Sequence, residues 1–411
     1  MPIYYTKTSR WRCFWEYLFS ALLVLELNSV YIQSYIFNFR ISELLILVSF
    51  ILGLSAIGKF TKNAKVRLVV IMYEMTALIL MLASVRGDSV LTYFFKFMVF
   101  VPSLFIYYAD NASRIQTILG NIHKIVVFLA MMSLVLYIGG VVLKIIPPSG
   151  HFLIDWGGAQ NRIAYYGLLF VGQGQDVGTI NLLRNTGIFT EAPMYGCVLV
   201  MALATNMFLL PQKQKNKARW ILCLTIITTI SVAAIMTMTV MLYYKYYSRF
   251  SKIIRVIFII LTIPVLIYVI WSLYTFKQTT GASYSIRLDD YYAGYQAWKK
   301  NLLFGVGYGN MDEITKHMMT YRQNRDIIGY SNALMYILAT IGLWGLAMYL
   351  LPFYQAIKKS IKHKRKELSM IFICLICMLI VTLFPMHLFL LNYISIALAF
   401  FIYKEKDVKS I

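Results

Sequence analysis

The sequence predicts an all-α, polytopic membrane protein of about twelve membrane-spanning helices, with both termini in the cytoplasm and two long outer loops. Three observations predict it. First, 60% of the 411 residues are hydrophobic and only 14% are charged, with a mean hydropathy of +0.67. A soluble domain of this length needs more polar surface, so this composition points to lipid as solvent. Second, several windows such as "IIRVIFIILTIPVLIYVIWSLY" hold about 18 or more largely apolar residues, enough to cross a bilayer core as a helix. Third, Lys and Arg collect in alternate short connections, which is the positive-inside signature.

Taken in order, the expected spans are 14–36, 41–58, 66–85, 90–108, 122–146, 187–210, 219–232, 234–248, 253–275, 329–352, 368–384 and 387–403. The basic clusters fall at Lys7/Arg10/Arg12, Lys59/Lys62/Lys65/Arg67, Arg114/Lys124, residues 213–219, residues 245–255, residues 358–366 and Lys404/Lys406/Lys409, whereas the short alternate connections hold only Arg40 and Arg86. The stretch "RWILCLTIITTISVAAIMTMTVMLYYKYY" reads as two short helices or a re-entrant hairpin. One continuous helix would move the cluster after Lys245 to the acidic side, and the Thr/Ser content helps satisfy a buried turn. The whole chain, 1–411, then forms one integral membrane domain. The net charge of +22 is accounted for by orientation and needs no nucleic acid. The five cysteines fall in or beside apolar runs, so no structural disulfide is expected. No cleavable signal segment opens the chain, and no His/Cys/carboxylate cluster has metal-ligand spacing. Neither metal nor cofactor is expected.

Two long outer loops remain, 147–186 and 276–329. Eight of the 17 acidic residues lie in or beside them: Asp155, Asp176, Glu191, Asp289, Asp290, Asp312, Glu313 and Asp326. They also carry Arg162, Arg184, Lys277, Arg287, Lys299, Lys300, Lys316, Arg322 and Arg325, against the positive-inside trend. A loop that merely connects has no reason to hold them, so function is expected on the outer face. In "LLRNTGIFTEAPMYGCVLVMALA", Arg184 and Glu191 stand at the mouth of a membrane helix. A helix N-terminus favours an anion, and a guanidinium fork binds two phosphate oxygens at once; the plainer role for Arg184 is snorkelling to lipid headgroups. Glu191 serves either as a dipole-complementing cap or as a general base.

The second loop predicts a helix from Ser285 to Lys300, with Arg287, Tyr291, Tyr295 and Trp298 on one side. That stripe suits an interfacial belt or a sugar platform. Asp290 is spaced to pair with Arg287, which leaves Asp289 the freer carboxylate. The glycines of "GVGYGN" are expected to turn the loop back toward the membrane rather than to hold a nucleotide. Ser331 or Asn332 can cap the next helix. His317 and His387 read as polar surface. Glu26, Glu43, Glu74 and Lys96 fall within expected spans, where a charge points to function by default, a Glu74–Lys96 pair being the structural alternative.

Together, "RNTGIFTEAPMYG", the Thr/Ser-rich hairpin, "SIRLDDYYAGYQAWKKNLLFGVGYGN" and "SNALMYILATIGLWG" resemble the Wzy-type polysaccharide repeat-unit polymerases, which share a membrane glycosyltransferase superfamily with the O-antigen ligases. The resemblance covers about residues 180–350. It implies a reaction on undecaprenyl-diphosphate-linked glycans at the outer face of the bacterial inner membrane, with membrane lipid around the protein and a chain-length regulator as a partner. It also implies diphosphate-binding roles for Arg184 and Arg287. The ligases carry a histidine, a small polar residue, nine residues, glycine, two more and glycine. Here Asn332, Gly342 and Gly345 keep that frame, but Ser331 stands at the histidine position, which favours polymerase over ligase. The arginine–ten–glycine loop pattern of some polymerases is not met at Arg184 or Arg287. On this reading Glu191, or failing it Asp289 or Asp290, takes the acceptor proton, and Tyr291, Tyr295, Trp298 and Asn332 contact the sugar. A lipid-linked oligosaccharide flippase is the rival from another class. It calls for a cavity lined with midplane charge and for repeated halves, and only Glu26, Glu74 and Lys96 favour it.

Overall fold

The computed structural model describes residues 10–35, 40–87, 89–155, 159–177, 180–210, 216–247, 282–324, 329–330, 332–381 and 386–411. The principal helices are α1 Arg10–Glu26, α2 Ile41–Leu54, α3 Ala64–Ser84, α4 Ser89–Asp110, α5 Ser113–Val142, α6 Ala192–Leu209, α7 Asn216–Thr228, α8 Val232–Tyr246, α9 Ala282–Trp298, α10 Ala333–Lys362, α11 Lys366–Val381 and α12 Leu388–Ala399. Five of them, α3, α4, α5, α6 and α10, are long and apolar enough to cross a membrane. This is a mostly helical, multi-pass membrane protein. The span expected at 253–275 lies outside the described residues.

Apolar faces decide the packing. α6 is apolar almost all round and almost wholly buried, as a helix surrounded by other helices should be. α3 keeps Leu68, Ile71, Met72, Met75 and Leu82 exposed, the pattern of a helix facing lipid. Several expected spans are shorter than the hydropathy suggested. The first ends at Glu26, where Asn28 takes a positive φ of 50°. The stretch 219–248 does divide into two helices, α7 and α8, around Ile230, which also has φ 50°.

The departure from an all-helical fold lies in the first long loop. There β1 Gly150–Asp155, β2 Ala159–Tyr165 and β3 Leu169–Val171 form an antiparallel sheet in the order β1-β2-β3, and β4 Gly174–Val177 pairs with β5 Ile180–Leu183. Strand β2 alternates buried Arg162 and Ala164 with exposed Asn161 and Ile163, the two-residue period of a half-covered strand. Tyr165 of β2 seats on Gly140 near the end of α5, so this sheet caps the bundle. The opposite end of α5 lies among the basic clusters. There Lys359 donates to the carbonyls of Phe401 and Tyr403, and Arg365 donates to that of Lys409. At 30 residues α5 is about 45 Å long, so the strand end and the basic end are a membrane's thickness apart.

α10 is broken. Gly342 has φ 65° and ψ −165°, splitting the helix in two. The glycine-rich loop after α9 fills the break. Val306 and Gly307 donate N–H groups to the carbonyls of Ala339 and Thr340, while Leu343 and Trp344 donate to those of Leu302 and Leu303. Irregular backbone is tolerated at membrane depth only where such partners exist. "GVGYGN" thus does more than turn the chain: it completes the backbone bonding of a discontinuous helix.

Candidate active site at the strand end of the bundle

The strip from Arg184 to Glu191 is held on three sides. Toward the α7–α8 turn, Arg184 Nε donates to the carbonyl of Thr229 at 2.9 Å and one terminal nitrogen donates to that of Ile230 at 3.4 Å. Asn185 adds bonds from its backbone N–H to the carbonyl of Thr228 and from its amide to Thr228 Oγ1, both at 3.0 Å. Carbonyls at a helix C-terminus lack intrahelical partners and carry partial negative charge, so a guanidinium suits them. Toward the sheet, Phe170 N–H donates to the carbonyl of Gly187 at 2.8 Å. Toward α1, Val30 N–H donates to the carbonyl of Ile188, and Thr190 N–H to that of Asn28. Gly187 has φ 54°, and a Cβ there would come within 2.8 Å of the Tyr195 ring. Only glycine fits that corner.

Glu191 occupies the N-cap position of α6 without a side-chain capping bond. Gln173 caps instead, its Oε1 accepting from Ala192 N–H at 3.0 Å, and the Glu191 carboxylate is spared that duty. Beside it sits a residue that sequence reasoning passed over. Arg162 is 4% exposed, lies against Gly172, and donates to Gln160 Oε1 at 2.7 Å and the Thr190 carbonyl at 3.4 Å. Its Nε is buried with no partner among the described residues. Burial pushes the guanidinium below its ordinary range, and the Glu191 carboxylate pulls it back up. The only sequence signal for Arg162 was its presence in an outer loop. Folding of β2 places it under the start of α6.

The second long loop forms a separate grouping. Asp289 and Asp290 are both fully buried, and both bond Arg322 Nη1, at 2.8 and 2.9 Å. Asp289 also accepts from Met319 N–H, and Arg322 Nη2 donates to the Gly329 carbonyl at 2.8 Å. Spacing leaves Asp289 the freer carboxylate, but in the fold Asp289 is committed to the Met319 N–H as well as to Arg322. The Arg287 side chain lies outside the described residues. Tyr291 and Tyr295 are each 45% exposed, and Tyr295 stacks obliquely on Trp298 at 6.0 Å. Trp298 also donates its indole N–H to the Leu302 carbonyl. Asn332 caps α10, its Oδ1 accepting from Met335 N–H at 3.1 Å. Its buried amide nitrogen finds no partner among the described residues.

Lys96 does not pair with Glu74. Its ammonium donates to the Met386 carbonyl at 2.9 Å, and Glu26 and Glu43 are the carboxylates acting on it.

Part of this bundle is similar to a known family. A family model described as O-antigen ligase matches residues 194–350, from the first turn of α6 to a point within the broken helix α10. The match supports the ligase and polymerase superfamily, a class of membrane glycosyltransferase-like enzymes of surface-glycan synthesis, without choosing between its two activities. The Arg184–Glu191 strip lies just ahead of the matched segment. Comparison with curated proteins gives no match.

Proposed function

We propose that the chain is a bacterial surface-polysaccharide polymerase of the capsule or O-antigen type. It joins undecaprenyl-diphosphate-linked repeat units at the outer face of the inner membrane. The observation that carries this reading is the placement of buried Arg162 on the Thr190 carbonyl, next to Glu191 at the start of α6, with Arg184 on the same strip, immediately before a segment similar to the O-antigen ligases. Glycosyl transfer from a lipid diphosphate builds negative charge on the leaving group. Fixed cations and the positive end of the α6 dipole stabilise that charge in the transition state, where it is largest. Arg184 and Arg287 are assigned to the diphosphate. Glu191, fixed beside Arg162 and relieved of capping, orients the acceptor hydroxyl. The tyrosines at 291 and 295 with Trp298 offer ring faces to a sugar. Asp289 and Asp290 are committed to Arg322, so Glu191 is the better placed of the three candidate carboxylates. Ser331 at the ligases' histidine position favours polymerase over ligase.

Glu191→Gln keeps the shape of the side chain and removes its charge. Extension of the lipid-linked unit should fall about a hundredfold, the scale expected when a reacting group loses its orientation, at normal membrane levels of the protein. A wild-type rate in this variant would remove Glu191 from the mechanism.

A further inference from the structure

The ends of α1, α4 and α12 gather ionisable side chains that the sequence scatters along its whole length. His387 is the N-cap residue of α12. Its Nδ1 lies 3.2 Å from Glu26 Oε1, across 361 positions, and Glu26 Oε2 accepts from Phe389 N–H at 3.4 Å. The side chain of Glu26 is 3% exposed and that of His387 is 21% exposed. Lys96, in a π-helical stretch of α4, donates to the carbonyl just before His387. Among the described residues, the ionisable groups at the histidine are thus the buried Glu26 carboxylate and, on the carbonyl just before it, the Lys96 ammonium.

Position makes the cluster more than a staple between helices. Two residues past Glu26, the carbonyl of Asn28 accepts from Thr190 N–H, next to Glu191. On the other side Phe97, which follows Lys96, packs on Tyr308 of the glycine loop at 6.0 Å and on Tyr349 of α10 at 6.1 Å. Tyr349 Oη in turn reaches Met386 Sδ at 3.8 Å. The cluster thus joins the Arg184–Glu191 strip to the loop that fills the broken helix. π-helical segments recur at functional sites. An imidazole that gives its Nδ1–H to a fixed carboxylate has a set tautomer, with a basic Nε2 on the far edge of the ring. Of the pair, His387 is the member that keeps exposed surface, so it is the one a substrate can reach.

We propose that His387, oriented by Glu26, is the proton acceptor of the transfer reaction, with Glu191 left to orient the acceptor. This rests on the polymerase reading. The acceptor oxygen forms its bond to the anomeric carbon as the bond from that carbon to the diphosphate oxygen breaks. The electron pair leaves with the diphosphate, and the hydroxyl proton passes to His387 Nε2. Glu26 holds the ring through its Nδ1 side. Lys96 holds the Met386–His387 backbone against α4.

The test uses full-length protein in membranes and, as probe, the lipid-linked unit extracted from a strain lacking the gene. His387→Gln should lower kcat at least about a hundredfold, the usual scale for a general base, with KM and melting temperature in detergent unchanged. The fall in rate on the acid side of the wild-type pH profile should be missing from its residual activity. Added imidazole should restore part of the activity of His387→Ala. If His387→Gln stays within about threefold of wild type, or its loss tracks an equal loss of folded protein with no rescue by imidazole, the pair is a structural staple and the proposal is overturned. Failure of wild-type membranes to extend the unit would remove the polymerase reading itself, an outcome distinct from an active wild type with an equally active variant.

Discussion

Arg322→Ala should leave the second long loop unfolded, and it is the most damaging single substitution expected in the protein. Arg322 is fully buried between Asp289 and Asp290, which are also fully buried, and it further anchors the carbonyls of Gly329 and Ile286. A buried charge pair is weak evidence of stability in itself, because desolvation consumes most of the attraction. Removing one member is different, since it strands the charge that remains. Breaking a buried pair costs about 3–5 kcal/mol, and here two carboxylates are stranded together. The Asp289–Met319 bond and the packing of Ala293, Ala297, Met318 and Tyr330 rest on the same geometry. Limited proteolysis between residues 282 and 330, with melting in detergent, measures the effect. Combining Arg322→Met with Asp289→Asn and Asp290→Asn should recover much of the loss by removing the stranded charges. A single Arg322→Ala variant as resistant as wild type would show that the triad does not hold the loop.

Gly342→Val should be nearly as severe, through the backbone rather than through charge. The φ and ψ at this position belong to a region open to glycine alone. A Cβ there would come within 2.3 Å of the Leu303 carbonyl carbon and oxygen. Gly305, across the same contact, has φ 69°, and a Cβ there would meet the Thr340 carbonyl carbon at 2.4 Å. The two glycines let the loop and the broken helix approach closely enough to share four backbone hydrogen bonds. Pushing them apart leaves those groups unsatisfied in an apolar setting, at several kcal/mol each for any group without another partner. The measured loss should therefore be several kcal/mol, seen as a large drop in melting temperature and in membrane level. Gly58→Ala is the matched control, because nothing lies within 4 Å of its added Cβ. Equal melting temperatures for Gly342→Val and Gly58→Ala would contradict this account of the break.

What was legible in the sequence follows from range. Hydropathy and charge are summed over a whole helix, so the apolar helices, the division near Ile230 and the α9 helix could be read directly. The Asn332 cap could too, since its bond spans three residues. The break at Gly342 could not, because the apolar run passes through it without interruption and its cause is a loop more than thirty residues earlier. Nor could the strands, which are three to seven residues long and lie in a loop read only for its charges. Pairing suffered most. Helical spacing offers Arg287 to Asp290, and no local pattern could show that Arg322, more than thirty residues away, bonds both carboxylates. A Glu74–Lys96 pair is the structural alternative that two charges in apolar runs offer, and tertiary packing turns Lys96 to Met386 instead. Arg162 was one charge among many until β2 carried it beneath Glu191, and no local pattern could have joined His387 to Glu26.

Arg184 serves the central claim best, because it is the described residue that the proposal assigns to the leaving group. The decisive measurement is the size distribution of the surface glycan in a strain lacking the gene, complemented with wild type or with Arg184→Ala. The protein's level in membranes is measured alongside, since Arg184 also braces the α7–α8 turn. A polymerase predicts single repeat units in the deletion strain, a long ladder restored by wild type, and no ladder from Arg184→Ala at normal membrane levels. Full-length chains still on their lipid carrier in the deletion strain would make the protein a ligase, and lipid-linked single units trapped on the cytoplasmic side would make it a flippase. Either result would contradict the polymerase account.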